Sequence, residues 1–349
     1  MRCVLPEVYR QIAGWDIGGA HVKLAFVAND LIKTFQWNCP LWKGLDELVS
    51  VLKLAVEVLP DLVSTHHVAM TGELVDIFSS HEDGVEKIIK VFTEVIGNKS
   101  NTLFFSSEGL LTIEQALEKP LDVASANWLA SAKVLSQYQN NTIFIDVGST
   151  TTDILHIDET SIVLNGMTDY ERLISGELVY TGVVRSCVNT LCQEIPYQGH
   201  WVPLMAEMFA TSADVYRVLE WLPDHADYGP TMDGQAKDKK SSMRRIARMI
   251  GRDYSPEESN DWVMACEYIA GQQMLMIEKK VVQILQAAPN VSSIVGAGVG
   301  AFLIKAMAER LFLNYMDYID CILPSELSHD KTATDCAPAV ALIFINNAA

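Results

Sequence analysis

Residues 14–27 read GWDIGGAHVKLAFV, and residues 142–157, TIFIDVGSTTTDILHI, follow the same plan. Each is an apolar run that ends on an aspartate and turns through glycine and small residues. The apolar runs predict buried strands, and the glycines let backbone N–H groups approach an anion. One Asp-x-Gly turn is also ordinary hairpin chemistry. Two copies, with Asp16 and Asp146 separated by 130 positions (146 − 16), favour a two-lobed clamp for phosphate groups.

Composition predicts a soluble globular protein of two domains. The 349 residues are 49% hydrophobic and 20% charged, enough to bury a full core. The longest apolar stretches, around 294–304 and 337–348, fall short of the roughly 18 residues that a membrane span needs, and the first fifteen residues have no signal-peptide layout. Seven scattered cysteines without a C-x-x-C pair predict neither disulfides nor a zinc site. We therefore expect a cytoplasmic protein without membrane partners.

The formal charge of −18 argues against nucleic acid as a partner, because duplex binding depends on clustered Lys and Arg. A local exception is the run of seven basic residues between Lys237 and Arg252, on a loop followed by a predicted helix. Such a run is either a solvated helix face or an attractor for a polyanionic small substrate.

The alternation of strand and helix patterns predicts a mixed sheet covered by helices. The predicted helices are 44–59, 84–97, 121–138, 201–222, 241–250, 256–287 and a tail at 332–347, and the predicted strands include 66–70 and 102–106. Residues 292–311 predict a strand, a glycine turn and a helix. The polar stretch 223–240 is rich in turn formers and is a candidate lid over a cleft.

The order of these motifs resembles the sugar kinase, Hsp70 and actin superfamily, with phosphate-1, phosphate-2 and adenosine-like motifs at 16–23, 146–153 and 295–300. Within it, DVGSTTTDI is similar to the hydantoinase A and oxoprolinase branch. Four further segments resemble proteins of the tetrahydromethanopterin-linked one-carbon pathway, whose archaeal relatives are synthases that build the methanofuran core: MTGELVD (70–76), ASANWLA (124–130), SGELVYTGVVR (175–185) and PLMAEMFATSADVYRV (203–218).

This resemblance implies an α/β, two-domain actin-like ATPase (ribonuclease H-like) fold with a central cleft. Residues 1–120 would form the first actin-like subdomain, and residues 121–140 a connecting helix. Residues 141–331 would form the second subdomain, with a helical insertion at about 200–290, and a helix at 332–349 would close the fold.

The resemblance also implies a condensation. An aminomethylfuran carrying a methylene diphosphate meets a tyramine- or tyrosine-type phenol, an aryl ether forms, and pyrophosphate leaves. The implied partners are thus small molecules, with a homodimer as the expected assembly. The product would be methanofuran or a bacterial analogue that serves one-carbon transfer.

Departure of diphosphate requires charge neutralisation, for which Mg²⁺ is the natural cofactor. Asp16, Asp146 and Asp153 are the carboxylates expected around it, as metal ligands and catalytic groups. Lys23 is expected to reach the phosphate oxygens as a point charge. The remaining phosphate-binding candidates are Gly18, Gly19, His21, Gly148, Ser149, Thr150, Thr151 and Arg172.

The phenol has a pKa near 10 in water, so a base must help to remove its proton. Glu73 is the first candidate, because it follows a short predicted strand in a loop. The alternative is that Glu73 caps a helix that begins at Leu74, in which case Asp16 or Asp153 could serve as the base.

The substrate-binding candidates combine polar and aromatic side chains. Glu207 and Asp214 would share one face of the predicted 201–222 helix and bind the amine, unless that stripe simply faces solvent. Tyr180 is expected to stack on a ring, and Asn127 to contact the phosphates. Gly296 and Gly298 resemble an adenosine-site turn that would hold the furan or phenol.

Two other classes of function fit the same motifs. The first is an ATP-dependent enzyme, either a small-molecule kinase or a hydantoinase-like ring-opening hydrolase, because the same clamp works on ATP. The second is a non-catalytic actin-like module.

Overall fold

The computed structural model describes residues 7–97, 101–159 and 161–345. Predictions for residues 1–6 and 346–349, Cys3 included, lie outside them. The first half of the chain supplies six strands of a seven-stranded sheet, together with its helices. Its elements are β1 (Ile12–Ile17), β2 (His21–Ala28), β3 (Leu31–Asn38), α1 (Leu45–Val56), β4 (Thr65–Met70), α2 (His81–Ile96), β5 (Asn101–Phe105), β6 (Leu110–Leu111), α3 (Ile113–Glu118), α4 (Pro120–Val123) and α5 (Asn127–Leu135).

The second half builds a second sheet and a largely helical insertion. Its elements are β7 (Thr142–Val147), β8 (Thr152–Asp158), β9 (Ser161–Val163), α6 (Asp169–Ser175), β10 (Leu178–Val179), α7 (Val188–Leu191), β11 (Glu194–Tyr197), β12 (His200–Pro203), α8 (Ser212–Val218), α9 (Lys239–Arg248), α10 (Ser259–Ala287), β13 (Ser293–Ala297), α11 (Ala301–Arg310), β14 (Asn314–Asp317), α12 (Tyr318–Ile322), β15 (Ser328–His329) and α13 (Ala337–Phe344).

The two sheets repeat one topology around the two hairpins. In the first sheet β2 pairs antiparallel with β1, and β3 pairs antiparallel with β2. On the other side of β1, β4 and then β5 continue the sheet in parallel. In the second sheet β8 pairs antiparallel with β7, and β13 and β14 continue in parallel. The carboxyl ends of β1 and β7, where the aspartates lie, therefore occupy equivalent places in two similar lobes.

Helices α13 and α5 pack against each other between the two lobes. All eight residues of α13 are buried, and α13 packs on β1, β2, β4 and α5. A Cβ atom on Gly14 would lie 1.9 Å from the carbonyl oxygen of Ala339, so only glycine lets α13 approach β1 this closely. Just before α13, β15 pairs with β3, so residues that the sequence assigned to the second subdomain complete the first sheet.

Several predicted elements differ in the structure. The helix predicted at 201–222 is wrong, because β12 and a loop occupy residues 200–211 and the Thr211 capping box starts α8 only at Ser212. The helix predicted at 121–138 is broken at Ser125, whose φ of 50° is left-handed. The tail helix at 332–347 shortens to α13, preceded by a 3₁₀ turn.

Five of the seven basic residues between Lys237 and Arg252 are exposed, as expected of a solvated face, whereas Arg245 is not. Arg245 is buried in α9 and its guanidinium pairs with Asp214 at 2.7 Å and Asp233 at 3.0 Å. Lys237 pairs with Asp227 at 3.4 Å. Much of the run therefore holds the insertion together. Among the described residues no helix is both long and apolar enough to cross a bilayer, and the six described cysteines are free.

Candidate phosphate-binding cleft

Both Asp-Gly turns open into one cleft of about 620 Å³ between the lobes. The cleft collects most of the residues that the sequence singled out. Those that line it are Asp16, Gly18, Gly19, His21, Lys23, Asn127, Asp146, Gly148, Ser149, Thr150, Thr151, Asp153, Arg172 and Tyr180.

The two turns have the same backbone geometry. In the first, the N–H of Gly18 donates to the carbonyl of His21 at 2.9 Å, and in the second the N–H of Gly148 donates to that of Thr151 at 2.9 Å. The tight turns present their intervening residues to the cleft as predicted for an anion-binding loop.

Asp16, at the carboxyl end of β1, is 4% exposed and held by two side chains. Asn127, the first residue of α5, donates from Nδ2 to its Oδ1 at 3.2 Å. The Lys23 Nζ lies 3.8 Å from its Oδ2. Burial raises the pKa of Asp16, while Lys23 and Asn127 partly offset that rise. Asn127 thus lies where it was expected, but it orients a carboxylate.

Asp146 lies near the carboxyl end of β7 and has a strongly raised pKa. Burial, together with the neighbouring charges of Asp153 and Asp16, raises its pKa to about 7, although Lys23 counteracts them. A carboxyl group with this pKa exchanges a proton near neutral pH, which is the property of a general acid or base.

Lys23 and His21 lie on the same strand, β2, but Lys23 is cationic and His21 is neutral. Burial disfavours the charge of Lys23, yet Asp16, Cys336 and Asp146 raise its pKa, so it stays cationic. Burial and the positive charges of Lys23 and Arg185 lower the pKa of His21 to about 3. His21 is therefore neutral at pH 7 and can offer only a neutral hydrogen bond to an anion.

Asp153, on β8, is held by an arginine that is itself fully packed. The Arg172 Nη2 donates to Asp153 Oδ1 at 2.8 Å and its guanidinium stacks 3.8 Å from the ring centroid of Trp128. Arg172 is 1% exposed, and its Nε has no partner among the described residues. Arg172 lines the cleft as predicted, but its Nη2 is already occupied by Asp153.

Glu73 is not among the described residues that line the cleft, although it was the first candidate base. It is 2% exposed, and its Oε1 accepts the N–H and the hydroxyl of Ser125 at 2.9 and 2.8 Å. Burial raises the pKa of Glu73. The same Ser125 hydroxyl lies 3.3 Å from Asp169, and both Ser125 and Asp169 face the cleft. Glu73 thus supports the wall of the cleft from behind.

Four predicted substrate-binding residues are not among those that line the cleft: Glu207, Asp214, Gly296 and Gly298. Glu207 is exposed in the loop before α8, and Asp214 is buried in ion pairs with Arg245 and Arg217. Glu207 falls outside α8, which begins only at Ser212, whereas Asp214 is on α8 but its carboxylate is taken up by the two arginines. Gly296 is buried beneath the ring of Tyr315.

Gly298 does not line the cleft, but it borders it. A Cβ there would lie 2.3 Å from Asp146 Oδ1, and its φ of +82° favours glycine. This glycine lets the loop after β13 pass directly behind Asp146.

The candidate lid contacts the first turn through Tyr228 and the segment before α13 through His225. The Tyr228 ring meets the His21 ring edge-on at 5.9 Å, and His225 Nε2 lies 2.6 Å from Asp335 Oδ2. The 223–240 segment thus packs beside the first turn.

Other cleft residues carried little or no sequence signal. Trp42 and Asp169 line it as well, but each is an isolated side chain outside the segments that the sequence singled out. Asp76 ends MTGELVD and Ser125 lies within ASANWLA, so the resemblance of those segments was the available signal. Arg185 flanks SGELVYTG, as Arg172 does, and an arginine at either place is a plausible partner for diphosphate.

The oxygen-rich carboxylate set suits a hard cation, but not a site closed by protein alone. Among the described residues, no group of three or more His, Cys, Asp or Glu side chains is close enough to hold a metal ion. Magnesium takes one or two carboxylates and completes its shell with water and phosphate oxygens. Asp16, Asp146 and Asp153 fit that mode of binding.

Two similar lobes with paired phosphate turns on one cleft define an actin-like α/β fold, as the sequence predicted. The nucleotide-free structure of an acetone carboxylase, an enzyme of ATP-dependent acetone carboxylation, shares this fold with a TM-score of 0.52 and 10% identity, over 95% of this chain and 70% of that chain. The chain belongs to the hydantoinase/oxoprolinase family, whose model matches residues 64–319.

Two curated relatives carry one name, (4-{4-(2-(gamma-L-glutamylamino)ethyl)phenoxymethyl}furan-2-yl)methanamine synthase. The protein of Methanocaldococcus jannaschii is 32% identical over 295 residues, which are 84% of this chain and 87% of that protein. The protein of Methanococcus vannielii is 31% identical over 183 residues, 52% of this chain and 81% of its own length. These relatives confirm the predicted resemblance and place the chain among biosynthetic enzymes.

Proposed function

We propose that the protein is a transferase that joins a furfuryl-type diphosphate, an aminomethylfuran, to a tyramine- or tyrosine-type phenol. The bond between the methylene carbon and the diphosphate oxygen breaks, and its electron pair leaves with pyrophosphate. The phenol oxygen forms the new bond to the methylene, and the phenol proton passes to a base. The relatives' name supports this reaction, because it describes an aryl ether between a phenol and a furan-2-ylmethyl group. The product would serve tetrahydromethanopterin-linked one-carbon transfer.

The observation that carries the proposal is the pairing of two anion-binding turns with one buried cation in a single cleft. Backbone N–H groups and the hydroxyls of Ser149, Thr150 and Thr151 would bind the diphosphate from one side. Lys23 would neutralise charge that develops on the leaving oxygen. Because a furan stabilises positive charge on its methylene, this arrangement needs to supply mainly positioning and charge.

Asp146 is the best-placed base for the phenol proton. Its pKa of about 7 is closer to the pKa of a phenol than the pKa of an ordinary carboxylate is. Asp146 also lines the cleft, whereas Glu73 does not. Asp16 lies across the cleft on the partner hairpin, where Lys23 and Asn127 fix it.

Magnesium would be held by Asp16, Asp146 or Asp153, directly or through water, and would neutralise diphosphate charge. Beyond the effect of burial, the negative charges of Asp153 and Asp16 raise the pKa of Asp146, and this concentration of carboxylates supports a cation beside them. The role of base belongs to an Asp146 that this cation does not bind directly.

The test uses purified protein with Mg²⁺, a furfuryl-type diphosphate and tyramine or tyrosine. Mass spectrometry should detect the aryl ether, with one pyrophosphate per ether and no need for ATP. Asp146→Asn should slow pyrophosphate release by about 10²- to 10⁴-fold. Asp158→Asn, at the far end of the same hairpin, should leave it unchanged. A product that forms only with ATP consumption would overturn the proposal in favour of a kinase or a hydantoinase-like hydrolase.

A further inference from the structure

Trp42 stands at the rim of the cleft on the first lobe. Its side chain is 41% exposed and lines the cleft. It lies in a single 3₁₀ turn, Leu41–Lys43, and the N–H of Leu41 donates to the carbonyl of Gly19 at 3.1 Å. The indole ring is therefore tied to the first phosphate turn.

Arg185 faces it from the second lobe. The backbone N–H of Arg185 donates to the carbonyl of Ser149 at 2.8 Å, which ties this residue to the second phosphate turn. Its guanidinium carbon lies 4.8 Å from the centroid of the Trp42 ring. The stack thus spans the cleft and joins the two turns.

Arg185 has no carboxylate partner within salt-bridge distance in the part of the chain that the structure describes. It also lies close enough to His21 for its charge to lower the pKa of that imidazole. Cation–π stacking on a partly exposed ring is weaker than a charge-assisted hydrogen bond to phosphate. An anion at the second turn would therefore draw the guanidinium away from the indole.

We propose that Trp42 is the aryl-binding face of the cleft and that Arg185 covers this face until an anion binds beside the second turn. The inference rests on the proposed function, in which the anion is the diphosphate and the aryl group is the phenol. It adds an order of binding, because the phenol can stack on Trp42 only after the guanidinium has moved.

This order has a chemical use. A phenol that bound first would lie across the mouth through which the diphosphate must reach its turns. Tyr180, 66% exposed at the same cleft, offers a second aromatic surface near the rim. Trp42 and Arg185 would then decide which molecule binds first.

The experiment is calorimetry on the purified full chain with two probes, inorganic pyrophosphate and tyramine. In the wild type, saturating pyrophosphate should strengthen tyramine binding by about tenfold, and tyramine should strengthen pyrophosphate binding equally. Arg185→Met should bind tyramine equally well with and without pyrophosphate. Trp42→Ala should bind it weakly in both conditions, and Trp42→Phe should keep the coupling. Trp201→Ala, an exposed tryptophan on β12 that is not a cleft residue, is the matched control.

The outcomes distinguish a failure of this inference from a failure of the proposed transferase function. If pyrophosphate binds but tyramine affinity is independent of it, or Arg185→Met behaves as the wild type, the inference fails and the transferase proposal stands. The same holds if tyramine does not bind in any condition while the aryl ether still forms. If neither probe binds and no ether forms, both fail.

Discussion

The two phosphate turns share a backbone but differ in charge at one equivalent position. In the first hairpin Asp16 pairs across the strands with Lys23, and in the second Asp146 pairs with Asp153. The first pair is an aspartate with a cation, whereas the second is two carboxylates. The first pair thus combines an acid with a base, whereas the second combines two acids, of which Asp153 is also paired with Arg172.

The contrast explains why the two aspartates behave differently. Asp16 has a cation at 3.8 Å that compensates part of its burial. For Asp146, burial is the main cause of a pKa of about 7; the Asp153 carboxylate opposite it adds to the rise, and Lys23, on the other lobe, counteracts it only in part. A repeated hairpin can thus supply a carboxylate paired with a cation from one copy and a carboxyl group whose pKa is about 7 from the other. Three predictions test the difference between the two turns, beginning with the largest expected effect.

Substitutions at the two equivalent positions should change anion affinity in opposite directions. Lys23→Met should weaken pyrophosphate binding by about 10²-fold, because the buried cation is lost. Asp153→Asn should strengthen it several-fold when magnesium is chelated, since it removes a negative charge and frees Arg172. Calorimetry with EDTA present measures both. Lys23→Arg, which keeps the charge, is the control, and weaker binding in both variants would show that the turns do not differ in this way.

Added bulk should damage the second turn more than the first. A Cβ on Gly182 would lie 2.4 Å from backbone atoms of Ser149 and Thr150, whereas a Cβ on Gly19 would meet only the end of the Val75 side chain at 2.8 Å. Gly182→Ala should therefore lower the free energy of unfolding by about 2 kcal/mol, and Gly19→Ala by less than about 1 kcal/mol. Urea denaturation compares the two variants. Equal losses in the free energy of unfolding would mean that both turns accommodate an added methyl group equally well.

The smallest expected effect is a pH dependence of stability that comes from the second turn. Because the folded-state pKa of Asp146 is above its ordinary value of 3.8, the folded protein keeps a proton that the unfolded chain releases. The free energy of unfolding should therefore decrease as pH rises from about 4 to about 7. Asp146→Asn should lose this part of the dependence, whereas Asp158→Asn should keep it. Melting temperatures across that pH range would decide, and an identical slope in Asp146→Asn and the wild type would count against the raised pKa.

The sequence predicted the hairpins and their shared cleft because those features are local. An apolar run, an aspartate and a glycine turn occur within a dozen residues, and each copy supports the other. Long helices such as α1, α2 and α10 were also predicted, to within a few residues at most ends. Fold and family followed from the same motifs.

The site assignments that missed depended on contacts between distant parts of the chain. Glu73 looked like an exposed loop acid, but Ser125, more than fifty positions away in sequence, buries and binds it. Glu207 and Asp214 were placed on one helix, but β12 and a loop replace its first half, and Asp214, on α8, pairs with Arg245, thirty-one positions away in sequence. Trp42 gave no sequence signal, because its importance lies in a stack with Arg185 across the cleft.

The contact between Gly14 and Ala339 sets a condition on how the protein can be made. The first phosphate turn depends on β1, and the inner face of β1 is covered by α13, which the ribosome supplies some 300 residues later (339 − 14 = 325). Until residues 337–344 have emerged from the ribosome, the apolar strand β1 of a nascent chain lacks the helix that covers it, so the first half should engage a holding chaperone during translation. The cleft is accordingly assembled only after synthesis reaches those residues.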